Sequence, residues 1–284
     1  MNRLSFVLGL TASATPPAAL VDGPAPPFTA QERRGGGRLG VAAIDLRNGR
    51  RMTQRGSERF PLASTFKLPL VMDVLARVDR GAERIDRPVR FTASDIVGYS
   101  PAFDPKPHDG TKTVAQLCEA AIAHSDNTAA NLLLRTVGGP AGVTAYLRAL
   151  GDAQTRLDRS EPALNEAVPH DPRDTTTPDA MANLLARLVR EPLLSATSKA
   201  RLFAWMRSAD TGLARIRAGV PPGWTVGDKT GTTDTGGNDV AILWPRAGAP
   251  IVLAIYFAEV HGSKAARDAA IAGVARAVVR RFRG

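Results

Sequence analysis

The sequence predicts an α+β fold, an α/β sandwich in which one antiparallel sheet takes strands from both ends of the chain. β-like runs occur near the start, at residues 39–46 and around Met52, and return near the end, at 225–230, 240–244 and 251–257. Between them the apolar residues mostly follow helical spacing. Because a sheet must bury its apolar faces, we expect helices packed against it and a mostly helical lobe alongside.

The two ends of the chain set the predicted domain boundaries. Residues 1–30 combine a short positive start, a short apolar run, small residues and a Pro/Ala-rich stretch, which is typical of a signal peptide and leader. Residues 31–284 form one domain with an α/β lobe (31–60 and 210–284) and a mostly helical lobe (61–209). No later segment is apolar over the length that spans a bilayer. We expect a secreted or periplasmic protein; a tail without a targeting role is the alternative.

Composition excludes several classes of protein. With 284 residues and 44% hydrophobic content, the chain can bury a large core. The net charge of +10 suggests a nucleic-acid partner, but the arginines are scattered and aromatic residues make up only 5%, so none is predicted. The single cysteine, Cys118, excludes an intrachain disulfide and has the apolar neighbours of a buried residue. The four histidines lack the spacing of metal ligands, so no metal or cofactor is predicted.

The helices of the predicted middle lobe have recognisable starts and breaks. An apolar run at 68–75 predicts a helix with Pro69 in its early turns. A long helical stretch at 113–150 is interrupted at 125–127 and at 138–140. Residues 155–177 are polar and rich in proline, which favours a functional loop. Further helices are predicted from Thr177, at 198–208 and at 265–282.

Ser64 and Lys67 lie at the start of the first of these helices. Residues three apart share one face of a helix, so the hydroxyl and the amine are neighbours. A serine needs a nearby base to become a nucleophile, and N–H groups at a helix start stabilise an oxyanion. The pattern indicates nucleophilic catalysis; alone, it also fits a serine cap and a solvated lysine.

Three more motifs follow in order: Ser125-Asp126-Asn127, Glu161-Pro162-Ala163-Leu164-Asn165 and Lys229-Thr230-Gly231. With these motifs the chain resembles the class A serine β-lactamases from about residue 30 onward. The resemblance implies a serine β-lactamase/transpeptidase-like fold, a monomer, no cofactor and no membrane partner. It also implies hydrolysis of a small-molecule β-lactam, a penicillin, through an acyl-enzyme, and leaves cephalosporins open.

The resemblance assigns a role to each catalytic residue. Ser64 attacks the β-lactam carbonyl, and Lys67, its pKa depressed by nearby positive charge, accepts or relays the proton. Ser125, aided by Lys229, passes a proton to the departing ring nitrogen. Glu161 activates the water that hydrolyses the acyl-enzyme, and Asn165 helps to hold that water. Whether Lys67 or Glu161 is the base for acylation stays open.

The resemblance also assigns substrate-binding residues. Asn127 holds the amide side chain, Thr230 and Thr232 bind the carboxylate beside Gly231, and the N–H groups of Ser64 and Thr232 form the oxyanion hole. Arg215 replaces the arginine that many relatives carry after Lys-Thr-Gly, and Tyr99 packs on the substrate at the edge of the cleft.

Four expectations concern residues near these. Asp126 fixes a loop by bonding to backbone, Arg159 pairs with Asp174, and Arg217 is a surface charge. The family's carbapenem-hydrolysing branch has two cysteines where this chain has Ala63 and Thr233, so efficient carbapenem hydrolysis is not expected.

Two other readings compete. A penicillin-binding protein or DD-peptidase-like enzyme shares the Ser-x-x-Lys and Lys-Thr-Gly chemistry but lacks a deacylating glutamate, so Glu161 and Asn165 count against it. A non-catalytic module that senses β-lactams requires an attached signalling segment, and the sequence shows none.

Overall fold

The structure is a computed structural model that describes residues 28–103 and 109–283. The main strands are Arg38–Asp45 (β1), Arg51–Gln54 (β2), Thr225–Thr233 (β7), Gly236–Trp244 (β8) and Ile251–Ala258 (β9). Within the described residues they form one antiparallel sheet in the order β2-β1-β9-β8-β7. The prediction of an antiparallel sheet shared by both ends of the chain is confirmed.

Helices cover both faces of this sheet. Thr29–Gly35 (α1), Ile216–Gly219 (α8) and Lys264–Arg283 (α9) pack together on one face, and Pro178–Arg190 (α6) packs on the other. The alternation along β1 explains why two cores form. Leu39, Val41 and Ala43 enter the core between the sheet and α9. Ala42 and Ile44 enter the core on the other face, which includes residues of α6.

Helix α1 was not predicted, because it falls at the edge of the predicted leader. Phe28 is buried in the α9 core, so residues 28–30, which were predicted to belong to the leader, pack with the domain. Residues 1–27, the rest of the predicted signal peptide and leader, lie outside the described residues.

The helical lobe surrounds Lys67–Asp79 (α2), which is buried from Lys67 to Leu75. Its neighbours are Val114–Ala123 (α3), Asn127–Val137 (α4), Gly139–Ala149 (α5) and Ala196–Arg207 (α7). The breaks predicted in the 113–150 stretch separate α3, α4 and α5. Cys118 is buried in α3 as predicted. Pro69 is accommodated because it lies in the first turn of α2, where an N–H group is dispensable.

Short strands connect these layers. Phe60–Pro61 (β3) pairs with Thr175–Thr176 (β6), and Pro88–Phe91 (β4) pairs with Gly110–Thr113 (β5). The sequence did not predict these pairs, because two to four residues are too few to show a period. The β3–β6 pair holds the end of the 155–177 loop against the sheet lobe.

The described residues contain neither a membrane-spanning helix nor a cluster of metal ligands. In residues 28–103 and 109–283, no helix combines the length and apolar character needed to span a membrane. Over the same residues, no group of three or more histidine, cysteine or acidic side chains converges as a metal site would.

Candidate active site

A cleft of about 620 Å³ opens between the two lobes. Nine of the twelve residues that the sequence analysis selected line it: Ser64, Tyr99, Ser125, Asn127, Asn165, Arg215, Thr230, Gly231 and Thr232. The other three, Lys67, Glu161 and Lys229, are buried among the polar residues near it. The fold therefore gathers all twelve residues in one place.

The backbone is strained at three points around the cleft. Ala63, Tyr99 and Ser125 have φ of +43°, +55° and +57°, in a region that non-glycine residues seldom occupy. Ser64 follows Ala63 in a 3-10 helix, Ala63–Phe66, rather than starting α2 as predicted. Such conformations cost about 1–3 kcal/mol each and concentrate at functional sites.

Lys67 is the centre of the hydrogen-bond network. Its Nζ donates to Ser64 Oγ at 2.9 Å, to Asn127 Oδ1 at 2.6 Å and to the Ser125 carbonyl at 2.7 Å. Glu161 Oε1 lies 3.0 Å from the same Nζ and accepts from Ser64 Oγ at 3.4 Å. The Ser64 hydroxyl is therefore within reach of two groups that can take its proton.

The pKa of Lys67 is lowered, but for a different reason from the one predicted. Burial, which disfavours the ammonium, is the main cause, and Glu161 opposes it. The predicted effect of positive charge appears instead at Lys229, whose pKa is well below the usual value through burial and then through the charge of Lys67. Lys229 Nζ donates to Ser125 Oγ at 2.8 Å.

Glu161 is held in place by two asparagines. Asn131 of α4 donates from Nδ2 to the Glu161 carbonyl at 2.9 Å and accepts from the Glu161 N–H at 3.0 Å. Asn165 Nδ2 donates to Glu161 Oε2 at 2.5 Å, while its buried Oδ1 has no protein partner in the described chain. A carboxylate and a free amide oxygen side by side can position a water molecule.

The loop that carries Glu161 is closed by an ion pair. Arg159 Nε lies 2.6 Å from Asp174 Oδ2, as predicted, and Asp174 Oδ1 also accepts from the N–H groups of Asp158 and Arg159. The Asp174 side chain is 1% exposed, so little solvent weakens the pair.

Strand β7 forms the opposite wall. A Cβ at Gly231 would lie 2.9 Å from the Leu62 carbonyl and 3.1 Å from Ala63 Cβ, so only glycine lets the strand approach the Ser64 turn this closely. Thr232, the next residue along β7, lines the same cleft as Ser64. Thr230 Oγ1 is 2.8 Å from Thr211 Oγ1.

Comparison with known proteins agrees with this geometry. The model of the β-lactamase enzyme family matches residues 28–282. The class A β-lactamase of the last common ancestor of Gram-negative bacteria is 52% identical, covers 90% of this chain and 97% of its own, and has a TM-score of 0.85. The chain belongs to the class A β-lactamase family. A putative class A β-lactamase from Rhodopseudomonas palustris is also similar, with 49% identity, coverage of 89% and 97%, and a TM-score of 0.85. The protein is therefore an enzyme that hydrolyses β-lactams.

In this β-lactamase Arg215 lies behind β7. Its Nη1 donates to the carbonyls of Gly231 and Asn238, its Nε to Asp268 Oδ1 and its Nη2 to Thr232 Oγ1, all at 2.9–3.0 Å. A guanidinium has five N–H bonds. One Nη2 N–H is thus left without a partner among the described residues, next to the Thr232 hydroxyl.

Three smaller expectations have clear outcomes. Asp126 caps α4 at Ala129 N and bonds Ala102 N, as predicted. Arg217 is not a simple surface charge: its Nε donates to the buried Asp228 at 2.6 Å. Tyr99 is 61% exposed at the cleft edge, where a partner ring can stack on it.

Two residues of the site were not predicted from the sequence: Asn131, which holds Glu161, and Asp268, which holds Arg215. Asn131 had a usable signal, because it lies four residues after Asn127 on the same face of α4. Asp268 had none, since it lies 53 residues from Arg215 and only the fold brings them together.

Proposed function

We propose that this β-lactamase opens the ring of penicillins through an acyl-enzyme on Ser64 and thereby confers antibiotic resistance. Lys67 accepts the Ser64 proton, because its Nζ is the nearer group, at 2.9 Å against 3.4 Å for Glu161. Burial lowers the pKa of Lys67 and so favours the neutral amine that this step requires. The N–H groups of Ser64 and Thr232 receive the oxyanion.

The second half of the reaction uses the other groups. Ser125 protonates the ring nitrogen and regains a proton through Lys229, to which it is hydrogen-bonded. Glu161 then takes a proton from a water held by Asn165 as that water attacks the ester carbonyl, and the acyl–Oγ bond breaks while Lys67 returns a proton to Ser64. The observation that supports this proposal most is the contact of Ser64 Oγ with both Lys67 and Glu161.

Turnover and protein mass, followed together, test the proposal. Purified enzyme is mixed with benzylpenicillin and with a chromogenic cephalosporin. We expect sustained hydrolysis of the penicillin and no long-lived adduct. A stable adduct on the unmodified enzyme would instead identify a penicillin-binding protein.

Arg215→Ala tests how the substrate carboxylate is bound. Charge-assisted hydrogen bonds contribute about 1.5–3 kcal/mol, so KM for benzylpenicillin should rise roughly 10- to 100-fold, with a smaller change in kcat. The methyl ester of the same penicillin is the control, because it lacks the charge that Arg215 and Thr232 bind. An unchanged KM for the acid would remove Arg215 from the site.

We also propose that the enzyme is exported as a monomer after loss of the signal peptide within residues 1–30. The positive start, apolar run and small residues of that segment support export. N-terminal sequencing of exported protein and sedimentation velocity check both points; a retained Met1 or a dimer would contradict them.

A further inference from the structure

Two aspartates outside the substrate cleft are diagonal neighbours on one face of the sheet. Asp228 of β7 and Asp239 of β8 have no exposed surface. The register pairs Asp228 with Ala241 and Thr230 with Asp239, which places the two carboxyl groups diagonally on one face of the sheet. Diagonal neighbours on one face of a sheet are close enough for their side chains to interact.

The buried carboxyl oxygens of this pair can all be hydrogen-bonded only if a proton lies between the two groups. Asp228 Oδ1 accepts from Arg217 Nε at 2.6 Å, and Asp239 Oδ2 accepts from the Ile216 N–H at 3.0 Å. Asp228 Oδ2 and Asp239 Oδ1 are buried and receive no N–H or O–H from any other described residue. An ionised carboxylate can only accept, so two ionised groups would leave both oxygens unsatisfied. One proton between them satisfies both.

Burial and mutual repulsion favour one negative charge on the pair rather than two. The neighbouring cations oppose this: Arg217 and Lys229 lower the pKa of Asp228, and Arg215 and Arg217 lower the pKa of Asp239. Burial raises the pKa of both carboxyls, and the neighbouring Asp228 raises the pKa of Asp239 further. Two carboxyls in contact release their protons in two separate steps, and the second step is the costly one.

We propose that Asp228 and Asp239 share one proton and together act as positioning residues for Arg215. They bind Ile216 and Arg217, the two residues that follow Arg215, and so hold the segment from which its guanidinium reaches Thr232. Ionisation of both carboxyls makes them repel, which displaces this segment. The shared proton does not depend on the proposed function, whereas the positioning role rests on the proposed function of Arg215.

Carboxyl-carbon NMR of enzyme labelled with [4-¹³C]aspartate tests the shared proton without using activity. At neutral pH we expect one buried aspartate signal at the chemical shift of a protonated acid, absent from Asp239→Asn. Asparagine donates an N–H to Asp228 at every pH, so this variant should keep the fold. Asp228→Asn is the second variant and should remove the same signal. Ionised shifts for every aspartate of the native enzyme would overturn the shared proton.

The pH dependence of KM tests the positioning role. Above the raised pKa of the pair, KM of the native enzyme for benzylpenicillin should rise about three- to tenfold, as part of an Arg215 bond is lost. Asp239→Asn should lack this rise. Asp86→Asn, which removes an exposed carboxylate paired with Arg84, is the matched control and should keep it. Identical pH profiles of KM for the native enzyme and Asp239→Asn would overturn the positioning role. An unchanged KM for Arg215→Ala would instead show that the function proposed for Arg215 is wrong.

The free energy of unfolding, measured at several pH values, tests whether the pKa of Asp239 is raised in the folded protein. The folded-state pKa of Asp239 lies well above its reference value of 3.8. The folded protein therefore holds the extra proton more tightly, and this stabilisation is complete below pH 3.8 and declines as pH rises toward the raised pKa. Asp239→Asn removes that decline, so its stability relative to the native enzyme should increase with pH. A constant difference would contradict the raised proton affinity.

Discussion

Glu161→Gln should stop the enzyme at its acyl intermediate. Glutamine keeps the shape of the side chain but cannot take a proton from water, so deacylation should slow by about 10³-fold. Acylation should continue, because loss of the Glu161 charge removes an interaction that raises the pKa of Lys67 and so favours the neutral amine. Mass spectrometry after mixing with benzylpenicillin should show one persistent adduct, and the kinetics should show a burst of one product per enzyme.

Asp171→Asn is the matched control for that experiment. Asp171 is a carboxylate on the same loop, and it pairs with Arg173 rather than with Ser64 or Lys67. Its variant should turn over without an adduct. If Glu161→Gln neither deacylates nor acylates, Glu161 rather than Lys67 is the base for the first step, and the assignment of Lys67 is wrong.

Each motif spans only a few residues of the chain, so the sequence alone could predict that its members lie close together. Ser64 and Lys67 are one turn apart, and Asp126 caps the helix that begins at Asn127. Local spacing therefore carries most of their geometry. The same holds for the sheet, whose strands were predicted from their apolar runs and differ from the observed bounds by a few residues at their ends.

Interactions between distant elements were the part that the sequence could not supply. The cause of the lowered pKa of Lys67 is burial, and burial depends on how α2, α4 and the Glu161 loop enclose the amine. Arg217, in α8, seemed a surface residue only because its partner, Asp228, lies in a different element, strand β7. Helix α1 has no periodic apolar pattern of its own and forms where it packs on α9.

Ser64→Ala should abolish acylation while leaving the protein folded. Without the nucleophile, hydrolysis of benzylpenicillin should fall by about 10⁴-fold or more, and no adduct should form even in the Glu161→Gln background. Stability should change little, within about 1 kcal/mol, because Lys67 keeps its bonds to Asn127 and the Ser125 carbonyl and its contact with Glu161. Adduct mass and thermal unfolding measure the two effects separately.

The adjacent hydroxyl, that of Thr65, should give the opposite result when it is removed: lower stability with acylation retained. Thr65 Oγ1 is buried, donates to the Leu62 carbonyl at 2.6 Å and lies 3.2 Å from Tyr256 Oη, on the core side of the turn. Thr65→Ala should therefore cost about 1–2 kcal/mol of unfolding free energy, since Tyr256 loses a buried partner, yet acylation should persist. If Ser64→Ala still formed an adduct, the nucleophile would have to be another residue. If both variants lost stability alike, the packing role would not be specific to Thr65. Two adjacent hydroxyls on one turn thus separate the chemistry of the site from the packing that holds it.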